Sequence, residues 1–261
     1  MANESLEALK GLGYQIEFHS HAAAILGVDF PEAAEELASV LNVLRIPVVQ
    51  LIRGGGGETE ITQGLRRSLV SLGWKKHKFE IRKLIDNVER ESISHEIDHV
   101  RTLLRGKIAL EIEWNNKDPF FDRDLENFKR LHVEGAISIG VVVTRGRTLH
   151  DNVRALISKF ARQRGVLSYA DLAAFDLEPT TRQRKAVERR MRSTGLTFSE
   201  AWVEIFCGDK YGQATTHWRK LEDRVHRGVG NPCPLLLIGI PDTVVTFDDY
   251  SAATALSTDE L

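Results

Sequence analysis

The spacing of apolar residues changes period several times along the chain, and each change marks an element. Residues 13–19 predict a short strand. Between 31 and 44, Ala34, Leu37, Val40, Leu41 and Leu44 recur at intervals of three and four, a helix whose first turn suits Pro31. Ile46 to Ile52 is an apolar, β-branched run and predicts a strand. Gly54–Gly57 precede Ile61, Leu65, Leu69 and Leu72 at helical spacing. Residues 78–85 and 93–101 alternate as strands, and 107–114 make the next. Pro119 opens a helix with Phe121, Leu125, Phe128 and His132 along one face. Residues 136–143 and 234–240 are continuous apolar runs, as in strands covered on both faces. Residues 149–164 read as helix, 166–206 hold two or three helical patterns, and the last twelve residues read as a frayed tail. This order predicts an α/β fold: a mixed β-sheet flanked by α-helices, one domain over 1–261 with a helical insertion at 160–230.

Composition narrows the class. A chain of 261 residues buries a substantial core without staples. Cys207 and Cys233 have neither the spacing nor the histidine partners of a zinc site or disulfide framework, which fits a reducing cytoplasm. No apolar run approaches the ~18 residues of a membrane helix, so no membrane partner is expected. The net charge of −2 conceals basic residues crowded into 145–227. That balance argues against a general polyanion-coating protein and is compatible with one basic groove.

The chemistry concentrates in 107–118. Strand geometry puts Glu111 and Glu113 on one face with Ala109, and Ile108, Leu110, Ile112 and Trp114 on the other, which should be buried. Two carboxylates at this spacing repel unless a positive group sits between them, and a hard divalent cation suits oxygen ligands. Asp98 lies thirteen residues upstream, with Arg105-Gly106 as the turn between, so a hairpin brings Asp98 beside Glu111. Asp98, Glu111 and Glu113 then form an oxygen-rich pocket suited to Mg²⁺, which takes one or two carboxylates, waters and substrate phosphate oxygens. Acid pairs on solvated strand faces are common, and the pair alone would not decide the matter.

These residues resemble a known family. Asp98…Glu111-Ile112-Glu113 resembles the Asp…Glu-x-Lys pattern of the restriction-endonuclease fold. The run from Leu110 through Asn115, Asn116, Lys117, Pro119 and Phe120 to His132, followed by Ile137 to Gly146, resembles the type II restriction enzymes of the BglII/BstYI group. The match covers roughly 94–147, with an echo near 233–247. The resemblance implies a restriction-endonuclease-like core, Mg²⁺-dependent cleavage at a specific sequence in double-stranded DNA, a homodimer, and a cognate DNA methyltransferase in the cell. It also implies that Asp98 and Glu111 are metal ligands and that Glu113 orients the attacking water. The fold commonly has Lys at this third position and BglII has Gln; a Glu there, Glu113 in this chain, resembles the related BamHI and favours a carboxylate that binds metal or acts as general base. A fourth acid from an upstream helix is part of the same pattern, bringing in Glu58 or Glu60; acids there also simply favour a helix N-terminus.

Further residues have the chemistry to meet DNA. Asn115, Asn116 and Lys117 leave the acidic strand, and turn chemistry before Pro119 accounts for them equally. Lys210, Gln213, Thr215, Thr216, His217, Arg219 and Lys220 carry the donors that base edges and phosphates accept, while Thr216 also suits a helix cap. Arg182 to Arg192 is a basic helix, a solvated face or a phosphate contact. The glycine loop is a DNA-facing turn or a plain connector. A repair or structure-specific nuclease on the same core and a DNA-binding module that does not cut remain alternatives, as does a small-molecule hydrolase.

Overall fold

The computed structural model describes residues 2–53 and 58–247. The Gly54–Gly57 loop and the terminal tail lie outside the described residues. In chain order the elements are α1 (Ala2–Ala8), β1 (Gln15–His19), α2 (Ala22–Asp29), α3 (Pro31–Asn42), β2 (Ile46–Pro47), α4 (Val48–Ile52), α5 (Glu60–Ser71), β3 (Lys75–Ile85), β4 (Val88–Leu103) and β5 (Gly106–Glu113). There follow α6 (Pro119–Val133), β6 (Ile139–Arg145), α7 (Arg147–Gln163), α8 (Tyr169–Ala173), α9 (Thr181–Thr194), α10 (Phe198–Lys210), α11 (Trp218–His226), β7 (Leu235–Ile240) and β8 (Val245–Thr246). The chain divides into two compact units, one of residues 2–44, 62–150 and 214–241, the other of 45–53, 58–61, 151–213 and 242–247.

The first unit holds a six-stranded mixed sheet in the order β1-β7-β6-β5-β4-β3. β5, β6 and β7 are parallel, and every residue of β6 and β7 is buried, in keeping with the apolar runs Ile139–Val143 and Leu235–Ile240. β1, β4 and β3 add antiparallel edges. One face of the sheet is covered by α6 and α11: Phe121, Leu125, Phe128 and Leu131 pack with Trp218, Leu221 and Val225 over Ala109, Val142 and Leu237. Gly140 makes this packing possible, because a Cβ there would stand 2.4 Å from the Phe128 ring. On the opposite face of β4, Arg101 donates to Glu36 of α3 at 2.7 Å, and Trp74 Nε1 donates to the same carboxylate at 2.8 Å.

The second unit is mainly helical. Thr180 and Thr197 open α9 and α10 with capping boxes, closed by Gln183 and Glu200. Gly195 ends α9 with φ 71°, the left-handed conformation glycine tolerates best. β2 and β8 form a two-residue parallel pair.

Two local expectations need correction. Ile46–Ile52 is not a strand: only Ile46–Pro47 pairs, and Val48–Ile52 is helical. Val48, Val49, Leu51 and Ile52 are all buried, and a short run buried on every side carries no period to tell helix from strand. Thr216 is not the cap of α11. His217 holds that position, and Thr216 Oγ1 instead accepts from the Asn116 amide at 3.0 Å. Residues 214–230, grouped by sequence with the helical insertion, fold in the first unit, whereas 151–213 belong to the second.

Candidate active site

The β4–β5 register pairs Val100 with Ala109 and His99 with Leu110, so the next step along it sets Asp98 opposite Glu111. Directly opposed residues of an antiparallel pair share a face. Asp98, Glu111 and Glu113 therefore share the Ala109 face, as the hairpin expectation had it. Their environments differ. Asp98 is 61% exposed, with its carboxylate 3.9 Å from Lys76 Nζ. Glu111 and Glu113 are only 6% and 3% exposed, because α6 lies over this face.

α6 also delivers an acid that sequence reading missed. Asp124 is 1% exposed and interacts with Glu113. Its signal was present: position 124 falls among Phe121, Leu125 and Phe128 at helical spacing, a charge inside an apolar stripe. Asp124 Oδ2 is buried and finds no hydrogen-bond donor. Burial, then Asp124, Asp98 and Glu113, push the Glu111 carboxyl up to about 9. Burial, followed by Asp124, raises Glu113 to about 8, while Asn116 Nδ2, donating to Glu113 Oε2 at 2.7 Å, pulls the other way. Arg123 donates to Asp124 Oδ1 at 2.8 Å and lies 3.6 Å from Glu113 Oε1. Three buried acids thus face one half-exposed guanidinium.

The strand end that carries Glu113 is held by a buried arginine. Arg145, fully buried at the end of β6, donates to Trp114 O at 2.9 Å and to Thr216 O and Thr215 Oγ1 at 2.8 Å. Asp118 donates its amide to Ala214 O, and Thr216 to Asn116 O, so 116–118 and 214–216 run side by side. Thr144 Oγ1 donates to Glu113 O at 2.7 Å. His217 stacks on His150 with centroids 3.8 Å apart, and burial, then His150 and Arg145, lower His217 to about 3, so it is neutral.

The structure thus brings together two of the segments with DNA-contacting chemistry but gives their residues different tasks. Thr216 and His217 are buried, Thr215 accepts from Arg145, and Lys220 lies 3.5 Å from Asp118. Asn116, Lys117 and Arg219 are exposed, and Asn115 is half-buried. In the second unit, Lys210 donates to Leu51 O and Arg53 O, and Gln213 is exposed. Glu60 pairs with Arg53, and Glu58 is exposed. Both cysteines are free and buried, and burial pushes each thiol up to about 12, far from nucleophilic.

The donors of this cluster are all oxygen, too many for the cations beside them, and one, Asp124 Oδ2, is orphaned. That set fits a hard divalent cation. Among the described residues no three His, Cys, Asp or Glu side chains are already set to hold a metal ion. A cation that keeps its waters and takes phosphate oxygens needs no such cage. Among the same residues no helix is long and apolar enough to cross a membrane.

No curated protein matches the chain. The family profile described as restriction endonuclease BglII/BglIII matches residues 14–240, a span that contains the whole six-stranded sheet and every acid of the cluster. The chain belongs to the BglII/BglIII restriction endonuclease family and is a type II site-specific deoxyribonuclease.

Proposed function

We propose that Asp98, Glu111 and Glu113, completed by Asp124, are the cutting centre of this enzyme, and that it works with Mg²⁺ held by Asp98 and Glu111. When bound, the cation polarises the phosphate, favours hydroxide over water and stabilises the leaving oxygen. Glu113 accepts the proton of the attacking water. A carboxyl raised toward neutral pH is a better base than an ordinary carboxylate. Asn116 fixes the direction of Glu113, and Arg145 and Thr144 hold the backbone on which Glu113 sits. In-line attack leaves a 5′-phosphate and a 3′-hydroxyl.

The observation that carries this reading is the burial of Glu111 and Glu113 beside Asp124 under α6. Buried like charges cost stability, and a cation-dependent reaction accounts for their retention. Glu58 and Glu60 are unnecessary as a fourth acid, because Asp124 supplies it. We further propose a homodimer, whose two-fold axis matches a palindromic site, acting in the cytoplasm with a methyltransferase that protects the host's own sites.

Phage DNA incubated with the protein in Mg²⁺, and separately in EDTA, tests the proposal when the fragment ends are sequenced. A discrete ladder with one end sequence, absent in EDTA and absent for Asp98→Ala and Glu111→Ala, is expected. Equal cutting in EDTA would overturn the metal assignment. Scattered ends at flaps or mismatches would instead favour a structure-specific nuclease on this core.

A further inference from the structure

We propose that α9 carries a second, sequence-independent surface for duplex DNA, a stripe of cations that binds the sugar-phosphate backbone. The proposal rests on DNA being the substrate, and it concerns residues of the second unit alone.

α9 contains six basic residues between Arg182 and Arg192, and the structure sorts them into two sets. Arg184 donates to Pro179 O at 3.1 Å and lies over the Tyr169 ring, and Arg190 pairs with Glu204 at 2.7 Å. These two flank the side of the helix that buries Val187. Arg182, Lys185, Arg189 and Arg192 are all exposed, and among the described residues none has an ion-pair partner. At 3.6 residues per turn the four fall within an arc of about 80°, centred opposite Val187. The helix has spent the cations near its packing face on local contacts and left the outer ones open.

Like charges three and four residues apart destabilise a helix by roughly 0.2–0.5 kcal/mol per pair. Only Glu188, at the edge of the arc, offsets them on this helix. The capping box at Thr180 and the glycine stop at Gly195 fix both ends, so the stripe is held on a regular helix. From Arg182 to Arg192 it spans about 15 Å. Phosphates of one strand advance ~3.4 Å each along the duplex axis, so this length faces about four of them. The whole chain carries a net charge of −2, so attraction to a polyanion must come from local concentrations of this kind. The side chains are three arginines and a lysine, with no amide or aromatic among them to read a base. Their expected contribution is affinity without sequence preference.

The test compares the full-length protein with R182Q/K185Q/R189Q/R192Q, using a random-sequence duplex in EDTA and varying KCl. Glutamine keeps helix propensity, and all four sites are exposed, so the variant should fold. Each lost phosphate contact should reduce the slope of log affinity against log salt by about 0.9. The variant should therefore lose about 2–4 units of slope and bind at least about 10-fold more weakly at 0.1 M salt. R182K/R189K/R192K, which keeps the charge, should retain the parent slope. Sequenced fragment ends from phage DNA should be identical for parent and quadruple variant. A quadruple variant with the parent's slope, when the parent does cut DNA, would overturn this proposal alone. A parent that neither binds nor cuts duplex DNA would overturn it together with the reading on which it rests.

Discussion

Replacing Glu111 by Gln should make the metal-free protein more stable, by an amount that grows with pH. Glu111 is buried beside Glu113, with Asp124 and Asp98 acting on it, and its carboxyl is raised to about 9. In the unfolded chain the same group titrates near 4.3. For a folded-state pKa above the unfolded value, the fold binds more protons than the unfolded chain across the window between the two. Stability is then fully present below the unfolded pKa and is lost as pH rises toward about 9. Each unit is worth 1.36 kcal/mol, so moving from pH 5.5 to pH 8 withdraws about 3 kcal/mol. Water entry and side-chain relaxation at the buried site return part of this, leaving about 2 kcal/mol. Glutamine has the same shape and no charge, and so lacks this loss. Urea unfolding in EDTA at both pH values, for parent and Glu111→Gln, measures it. The variant should gain about 2 kcal/mol or more over the parent at pH 8, and about 2 kcal/mol less than that at pH 5.5. The same variant should be inactive in cleavage. Equal stability of the two proteins at pH 8, or an advantage independent of pH, would refute the idea that uncompensated negative charge loads this site.

Asp124→Asn should lower the rate of cleavage by about 10²-fold or more, since it removes the charge that, after burial, raises Glu113, and single-turnover kinetics would show it. Gly140→Val should force Phe128 off the sheet, costing about 1–3 kcal/mol in urea unfolding and displacing α6 with Asp124. Arg145→Gln should cost about 2–4 kcal/mol by leaving Trp114 O and Thr216 O short of donors, with loss of cleavage. Arg145→Lys should restore stability only in part, because an ammonium cannot reproduce the planar fork.

The sequence by itself determined the elements with a strong period and the local content of the site. Strands at β3 to β7, the helix opened by Pro119, and Asp98, Glu111 and Glu113 on one face of a hairpin were all legible. Alternation, helical spacing and hairpin length are properties of neighbouring residues. Short buried runs such as Val48–Ile52 were not legible, because burial on all sides erases the period. Tertiary structure alone decided that α6 lies over the acids. Packing made Glu111 and Glu113 buried rather than solvated, brought in Asp124 from an apolar stripe, and raised the carboxyls. It also decided that Thr216, His217 and Lys210, which read as DNA contacts, are spent on holding the fold, while the cations of α9 opposite Val187 stay open. A side chain's charge and donors are written in the sequence; what they face depends on residues far away in the chain, which only folding brings near.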